Sequence, residues 1–438
     1  MKKMLILLPV LTLACVRAEA VKDRETAVRN DRLTMLKDVH WIYNDVDAGF
    51  AEAKKTGKPL LVVLRCVPCK SCMGIDASIL QSKELRPLLD QFVCARVINA
   101  NALDLSLFQF DYDLSLSTLI FNADGTIYGR FGSWQHQRDA LDDSTAGYKA
   151  ALEAALALHR GYPANKAALA GKQGGPAPFK TPIEIPSLAG KYQRELNWDG
   201  KVVQSCVHCH QIGDAYRAWY RNEGKPIPTE LIYPMPMPET VGLTLDPAQV
   251  ARVNDVAAGS AAAEAGLVKG DEITAANGQP LLSIADFSWV LHRSPESGTL
   301  KLSVRRAGAN KELELALKDG WRLKSNISGR AGTWPMRGMG AGGMLLTDLS
   351  DEEREKRGLD RTTLALFVKH LGDNGPHGAA KKAGFQKDDV LVAVDGVTQR
   401  TTESEMLGRL LVAHPKKDEV KATVLRGGKR VDLTLPIQ

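Results

Sequence analysis

The sequence is poor in cysteine and in aromatic residues, and after its first twenty residues it has no apolar run long enough to cross a membrane. Seven cysteines in 438 residues are too few for a disulfide scaffold, so their placement matters more than their number. Lys and Arg (57) barely exceed Asp and Glu (51) and form no long basic run, which argues against a nucleic-acid partner. The length predicts about three domains, and the ordinary hydrophobic content of 44% indicates globular protein.

The first twenty residues have the pattern of an export signal. Lys2 and Lys3 precede an apolar stretch over 4–16, and a small-x-small triplet follows at 18–20, which is the order of a signal peptide and its cleavage site. The sequence therefore predicts a mature protein in the periplasm or another extracytoplasmic compartment, where disulfide chemistry is available. Cys15 leaves a lipoprotein anchor open as an alternative.

Three cysteines follow a predicted buried strand. Residues 60–64 are continuously apolar, as in a strand covered on both faces, and Cys66, Cys69 and Cys72 come directly after them. Thiols that open a helix gain thiolate character from the helix dipole. A pair of thiols three residues apart can exchange reversibly with a disulfide. An inert packed cluster and a zinc site are the alternatives, although no fourth zinc ligand is adjacent in sequence.

These features resemble the thioredoxin fold, and more narrowly the thioredoxin-7 type of exported domain. The Cys-x-x-Cys after the strand and the later S-T-L-I-F, D-G and Y-G-R-F-G segments carry the resemblance. It implies that Cys69 attacks a disulfide, that Cys72 resolves the mixed disulfide, and that Cys66 is an additional thiol. Three features depart from thioredoxins. Lys70 and Ser71 stand between the two cysteines in place of Gly-Pro, Val63 stands in place of a buried acid, and Ser117 stands in place of a cis-proline. We therefore expect a specialised redox or sensing role rather than efficient general disulfide reduction.

A second cysteine motif, C-V-H-C-H, begins at Cys206. Cys-x-x-Cys-His is the attachment signature of c-type haem, in which Cys206 and Cys209 would bind the haem vinyl groups and His210 would ligate the iron. Met235 and Met237, flanked by prolines, are candidates for the sixth ligand. The sequence thus predicts a covalent haem c in this segment.

Other chemistries of the C-V-H-C-H motif stay open. About forty residues is short for a cytochrome, and no later helix is predicted to cover a haem. The two thiols could instead form a second redox pair or a structural disulfide. A zinc site that includes His208 or His210 is the remaining alternative.

The C-terminal half contains an internal repeat. AAEAGLVKGDEITAANGQP at 262–280 and AAKKAGFQKDDVLVAVDGV at 379–397 share one skeleton, and each precedes a helical patch and a strand pair. Both copies resemble bacterial tandem PDZ domains, which bind an extended peptide at a sheet edge. The candidate peptide-binding positions are Val241, Gly242, Leu243 and Thr244 in the first copy and Gly342, Gly343, Met344 and Leu345 in the second. No Gly-x-Ser-Gly-Gly nucleophile motif of a trypsin-like protease is present.

The predicted architecture is multidomain, with an α/β thioredoxin-like domain, a short Cys-x-x-Cys-His segment and two mainly-β PDZ-like domains. The predicted units are a signal peptide (1–20), a thioredoxin-like domain (21–160), a Pro/Gly/Ala-rich linker (161–197), the Cys-x-x-Cys-His segment (198–238) and PDZ-like domains (239–320 and 330–438). This order resembles the exported Trx7/PDZ proteins. It implies thiol–disulfide exchange with protein thiols, with the PDZ pair holding a client. The rival hypotheses are a non-catalytic PDZ scaffold and a small c-type electron-transfer protein.

Overall fold

The computed structural model describes residues 24–67, 79–80, 82–133 and 141–438, and the side chains of 141–144 are excepted. The predicted signal peptide with Cys15, and the predicted redox cysteines Cys69 and Cys72, lie outside the described residues. In the described part, no helix is both long enough and apolar enough to cross a membrane.

The first domain is built on a five-stranded sheet. Its strands are β1 (Trp41–Tyr43), β2 (Leu60–Arg65), β3 (Val93–Val97), β4 (Leu116–Phe121) and β5 (Ile127–Phe131). The spatial order is β1-β3-β2-β4-β5; β1, β3 and β2 run parallel, and β4 and β5 are antiparallel to their neighbours. Its helices are α1 (24–35), α2 (Val46–Thr56), α3 (Arg86–Leu89) and α4 (Leu141–Arg160).

The position of β2 in the middle of the sheet accounts for the continuous apolar run over 60–64. Successive side chains of a strand point to opposite faces, and both faces of this sheet carry an apolar cluster. Leu61 and Val63 pack into one cluster, whereas Leu60, Val62 and Leu64 pack into the other. Every residue of β2 is buried, which confirms the predicted buried strand directly ahead of the cysteines.

The segment between the first domain and the repeats is packed rather than extended. It contains α5 (Lys166–Leu169), α6 (Cys209–Asn222) and α7 (Thr229–Ile232). Within the predicted linker over 161–197, Leu169, Ile185 and Leu188 are buried. Apolar side chains at these positions pack the Pro- and Gly-rich stretch against its neighbours and give it a fixed path.

The two repeats form two separate β-rich domains. The first has β6 (Leu243–Leu245), β7 (Val253–Val256), β8 (Glu272–Ala276), β9 (Gln279–Pro280), β10 (Gly298–Arg306) and β11 (Ala309–Leu317), with α8 (Ala261–Glu264) and α9 (Ile284–Arg293). The second has α10 (Thr333–Gly340), β12 (Met344–Asp348), α11 (Asp351–Lys356), β13 (Leu366–Leu371), α12 (Ala379–Lys382), β14 (Val390–Val394), α13 (Glu403–Ala413), β15 (Asp418–Arg426) and β16 (Lys429–Ile437). The strand order of the second is β12-β13-β14-β15-β16, so β12 is an edge strand.

The repeats share a buried ion pair at equivalent positions. In the first, Arg306 Nε donates to Asp271 Oδ1 at 2.6 Å. In the second, Arg426 Nε donates to Asp389 Oδ1 at 2.7 Å. The aspartates belong to the repeated sequence skeleton, and each arginine is the last residue of the first strand in the strand pair that follows, so the structure confirms the duplication read from sequence.

Asp286 of α9 joins the first domain to the first repeat domain. Its Oδ1 accepts a hydrogen bond from the backbone N–H of Arg130 at 3.0 Å, and its Oδ2 accepts one from the N–H of Leu282 at 2.9 Å. The same Oδ2 pairs with Lys172 Nζ at 2.8 Å, and both side chains are only 1% exposed. Three chain segments therefore converge on one buried carboxylate.

Gly129 on β5 permits this close approach. A Cβ atom at Gly129 would lie 2.6 Å from Asp286 Oδ2, which is too close for any side chain. Beside it, the Arg130 guanidinium stacks on the Trp289 ring, 3.8 Å from the centroid. The Trp289 indole N–H donates to the carbonyl of Gly171 at 2.9 Å. The Y-G-R-F-G segment that indicated a thioredoxin-like hairpin is thus also a docking surface.

His414, which follows α13, should make a pH-dependent contribution to the stability of the protein. Its ring nitrogens contact Asp395 Oδ2 at 2.9 Å and Asp418 Oδ2 at 2.7 Å, and the hydrogen bond to Asp395 is the main reason that the pKa of His414 is raised. A histidine whose pKa is raised by folding stabilises the protein fully below its unfolded pKa, about 6.5, and loses that contribution as pH rises through the folded pKa. We expect the denaturant midpoint to fall as pH rises above about 6.5, and His414→Gln to flatten that fall.

The exposed His370 supplies the matched control for this pH experiment. Denaturant midpoints measured between about pH 6 and 9 should show the same pH dependence for His370→Gln as for the unsubstituted protein. An unchanged pH dependence in His414→Gln would show that the Asp395–His414–Asp418 cluster does not contribute.

Candidate functional site

The structure brings the second cysteine motif onto the end of β2. Cys66 follows β2 directly, and its backbone N–H donates to the carbonyl of Ser115 at 2.9 Å. Its Sγ lies 3.2 Å from Nδ1 of His208, a residue 142 positions further along the chain. Of the three cysteines after the strand, Cys66 is the one within the described residues, and it faces the C-V-H-C-H motif.

Asn101 holds this motif in place. Its side chain is fully buried, and its Nδ2 donates to the carbonyls of Gln193 at 2.7 Å and Ser205 at 2.8 Å. Its Oδ1 accepts a hydrogen bond from the N–H of Val207 at 2.7 Å. A single buried amide in the first domain therefore satisfies three backbone groups of the segment and fixes the chain on both sides of Cys206.

The two cysteines of the motif occupy different apolar surroundings. Cys206 packs beside Ile98 and Val202, and its Sγ lies 3.4 Å from the carbonyl of Ile98. Cys209, the first residue of α6, is 9% exposed and belongs to the apolar cluster that contains Leu64 of β2. Both residues are thiols in the structure rather than partners in a disulfide.

Burial sets the ionisation of these groups. It raises the pKa of the Cys206 thiol to about 11. The pKa of Cys209 is raised well above its ordinary value, first by burial and then by the nearby charges of Cys66 and Cys206. Burial, assisted by the positive charge of His210, lowers the pKa of His208 to about 4. At neutral pH the two thiols are therefore protonated and the His208 ring is neutral, so each of its ring nitrogens can take part in a hydrogen bond as donor or acceptor.

The predicted haem ligands do not surround a common space. Cys209 is enclosed in the apolar cluster of the first domain, whereas the His210 side chain is 43% exposed and its Nδ1 lies 3.4 Å from Asp214 Oδ2. Haem attachment needs both thiols and the adjoining histidine to face one cofactor plane. These side chains do not fit that requirement, and covalent haem stays a prediction that the visible spectrum of the purified protein tests.

Met235 and Met237 lie at a different place from the cysteine motif. They line a small cavity between the first domain and α9, together with Ser117 and Ser288. None of the three predicted haem-attachment residues lines this cavity. Ser117 is buried on β4, paired in register with Leu64, and its hydroxyl has no hydrogen-bond partner among the described residues.

A metal site also lacks support from the geometry. In the part of the chain that the structure describes, no group of three or more His, Cys, Asp and Glu side chains is arranged to hold a metal ion. The contact between Cys66 and His208 is instead that of a thiol and a neutral imidazole within hydrogen-bond distance.

The predicted groove of the first repeat domain is covered by the protein itself. Val241 and Leu243 are core residues, Gly242 has a left-handed backbone, and Thr244 pairs with Asp255. All residues of α9 from 284 to 291 are buried. Its outer face is covered by the first domain through the Asp286 contacts, and Met237 Sδ lies 4.0 Å from the Ser288 hydroxyl.

The predicted groove of the second repeat domain is also engaged internally. The N–H of Gly343 donates to the carbonyl of Arg337 at 2.9 Å, and the N–H of Met344 donates to that of Ala341 at 3.1 Å. A peptide carboxylate bound by this loop would need such amides. Gly342 and Gly343 pack tightly against residues 377–380. A Cβ at Gly343 would lie 1.9 Å from the carbonyl oxygen of His377.

Glu403 completes the closure of the second groove. Its carboxylate accepts hydrogen bonds from the N–H of Leu346 at 2.8 Å and from Arg337 Nε at 2.8 Å and Nη2 at 2.7 Å. Arg337 lies on α10, which contacts both β12 and α13. Leu345 is half-buried and pairs with His370. The edge of β12 is thus occupied by this protein's own helix and carboxylate.

Sequence reasoning missed the residues that assemble the site. Asn101, Lys172 and Asp286 gave no signal because a lone polar residue in a loop or helix is usually solvated. The apolar positions around them supplied no periodicity to show that they would be buried. His208 was considered only as a zinc ligand, and the structure places it against Cys66 instead.

Comparison with known families identifies the three globular units. Residues 41–123 match the thioredoxin-like family model, and residues 238–317 and 368–437 each match the PDZ domain model. The α/β first domain and the two β-rich repeat domains agree with these matches. The Cys-x-x-Cys-His segment lies between the matched regions.

The curated relatives resemble only part of the chain. A probable periplasmic serine endoprotease DegP-like of Pseudomonas savastanoi pv. phaseolicola (strain 1448A / Race 6) is 28% identical over 196 residues, which is 44% of this chain and 38% of that protein. The periplasmic pH-dependent serine endoprotease DegQ of Escherichia coli (strain K12) is 27% identical over 191 residues, 44% of this chain and 37% of that protein. The chain thus spans well under half of their length, and the similarity covers the PDZ region.

A solved structure matches more weakly. The HtrA-type protease AlgWS227A with decapeptide aligns at 16% identity with a TM-score of 0.21, over 32% of this chain and 40% of that chain.

Proposed function

We propose that this chain, which joins a thioredoxin-like domain to two PDZ domains, is a thiol–disulfide redox protein that acts outside the cytoplasm. The observation that carries the proposal is the contact of Cys66 Sγ with His208 at 3.2 Å. It places a second pair of cysteines at the end of β2, where the thioredoxin-like Cys-x-x-Cys follows. Five of the seven cysteines belong to the two motifs, and Cys66 of the first contacts His208 of the second.

The proposed reaction is exchange between the protein's dithiol and a protein disulfide. Cys69 would attack the substrate disulfide and Cys72 would resolve the mixed disulfide, as the resemblance to thioredoxins implies. The predicted leader supports an extracytoplasmic site of action, and so do the periplasmic names of the curated relatives. PDZ domains generally bind peptides or proteins, so the second PDZ domain is the proposed place for a client once its groove is released.

Turnover of a protein disulfide tests this function. In an insulin-reduction assay with dithiothreitol as electron donor, we expect the purified protein to exceed the uncatalysed rate and Cys69→Ser to fall to it, since the attacking thiol is lost. Cys94→Ala is the matched control, because Cys94 is a buried thiol of β3 and burial raises its pKa. The proposal fails if the unsubstituted protein is no faster than Cys69→Ser.

A further inference from the structure

The juxtaposition of Cys66 with the C-V-H-C-H motif carries a more specific inference, which rests on the proposed function. We propose that Cys66 and Cys209 are a redox pair across the interface between the thioredoxin-like domain and the motif. Cys66 would attack an incoming disulfide, and Cys209 would resolve the mixed disulfide. The motif would then supply the protein with an internal resolving thiol rather than a cofactor.

The geometry favours Cys209 over Cys206 as the partner of Cys66. Cys209 immediately follows His208, whose ring touches the Cys66 sulfur at 3.2 Å. It also packs in the apolar cluster that contains Leu64, a β2 residue two positions before Cys66. Cys206 instead packs on the β3 side, with its Sγ 3.4 Å from the carbonyl of Ile98. The charge of Cys66 acts on Cys209 more strongly than that of Cys206 does.

His208 supplies a hydrogen bond that favours the Cys66 thiolate in this arrangement. Its ring nitrogen is within hydrogen-bond distance of the Cys66 sulfur, and the ring is held by the anchoring of its own backbone, whose N–H donates to Gln211 Oε1 at 2.8 Å. A hydrogen bond from a neutral imidazole N–H stabilises a thiolate. The thiolate, rather than the thiol, is the attacking species.

The exchange balances with a disulfide R–S–S–R′ as the oxidant. Cys66 attacks one sulfur as its thiolate, which forms the Cys66–S–S–R bond and releases R′–S⁻, and this anion takes up the proton that Cys66 has lost. Cys209 then attacks the Cys66 sulfur, forms the Cys66–Cys209 disulfide and releases R–S⁻, which takes the Cys209 proton. The substrate is reduced to two thiols, and the protein's pair is oxidised by two electrons.

Disulfide mapping in a background that lacks the thioredoxin-like pair tests the proposal. The full mature chain with Cys69→Ser and Cys72→Ser would be treated with oxidised glutathione, alkylated and digested without reduction, and its bridged peptides identified by mass spectrometry. We expect the Cys66–Cys209 bridge as the main product, and the same bridge when Cys206→Ser is added. A bridge between any other pair, or Cys66 left joined to glutathione, would overturn the proposal.

The role of His208 has its own readout in the same background. We expect His208→Gln to slow the formation of the bridge by at least about tenfold near neutral pH and to shift the dependence of the rate to higher pH. An unchanged rate and pH profile would overturn the assignment of His208. Because Cys69 is absent from this background, the result is independent of the insulin assay. If the bridge does not form in this background while the unsubstituted protein turns over insulin normally, only the Cys66–Cys209 pair is rejected.

Discussion

Asp286→Ala should lower the free energy of unfolding by about 3–5 kcal/mol, because it removes one partner of a fully buried ion pair. Lys172 would keep a charge with 1% exposure and no counter-ion, and burial already lowers its pKa. The backbone N–H groups of Arg130 and Leu282 would lose their acceptor at the same time. The change should therefore separate the first domain from α9 as well as destabilise the protein.

Chemical denaturation followed by fluorescence measures this effect, because Trp289 lies at the interface. Asp319→Ala is the control, since Asp319 is an exposed aspartate of the same repeat domain, and it should change the midpoint little. Adding Lys172→Met to Asp286→Ala should recover part of the loss, because the uncompensated charge is then gone. Equal midpoints for Asp286→Ala and Asp319→Ala would show that the buried pair does not hold the interface.

Glu403→Ala should open the peptide groove of the second PDZ domain. The substitution frees the N–H of Leu346 on the edge strand and removes the partner of the buried Arg337. Breaking such a pair costs about 3–5 kcal/mol. Because the internal contact competes with a bound peptide, each 1.4 kcal/mol removed from it raises the apparent affinity for the peptide tenfold. We expect a peptide with an apolar C-terminal residue to bind the variant at least about tenfold more tightly.

Fluorescence polarisation with a labelled peptide, and with its C-terminal amide for comparison, measures the change. Glu405→Ala is the matched control, because Glu405 caps the same helix through the N–H of Thr402, whereas Glu403 is the carboxylate that pairs with Arg337. It should leave affinity near that of the unsubstituted protein. If the unsubstituted protein already binds the free-carboxylate peptide as tightly as Glu403→Ala, the groove is not closed by α10.

The domain plan could be predicted from sequence because it depends on local patterns. A continuous apolar run over 60–64 requires a strand with two buried faces, and β2 is that strand. The repeated skeleton with its Gly-Asp or Asp-Asp step requires a duplicated domain, and the Asp271 and Asp389 ion pairs confirm it. Family comparison then places a thioredoxin-like domain and two PDZ domains where the patterns indicated them.

The arrangement between domains could not be predicted, because it depends on single polar contacts between distant segments. Lys172 is a lysine in a Pro- and Gly-rich stretch, where exposure is the ordinary expectation. It is buried because Asp286 provides a counter-ion 114 positions later in the chain. The meeting of Cys66 with His208 depends likewise on the anchoring of 193–207 by Asn101.

The haem prediction rests on a sequence motif alone. Cys-x-x-Cys-His specifies a spacing and not a surrounding space. In the folded protein the space around Cys209 is filled by apolar side chains of the thioredoxin-like domain. Cys209, which indicated a cofactor, therefore has the surroundings of a packed thiol, and covalent haem stays a prediction.

The redox state of each cysteine across glutathione buffers tests whether the protein is a thiol–disulfide redox protein. The mature protein would be equilibrated at graded ratios of reduced to oxidised glutathione, alkylated, and each cysteine quantified by mass spectrometry. We expect Cys66, Cys69, Cys72 and Cys209 to become oxidised within this range of glutathione ratios. Cys94, which is buried on β3, should stay a thiol throughout. Site cysteines that remain thiols at every ratio, or Cys206 and Cys209 found joined to haem, would contradict it.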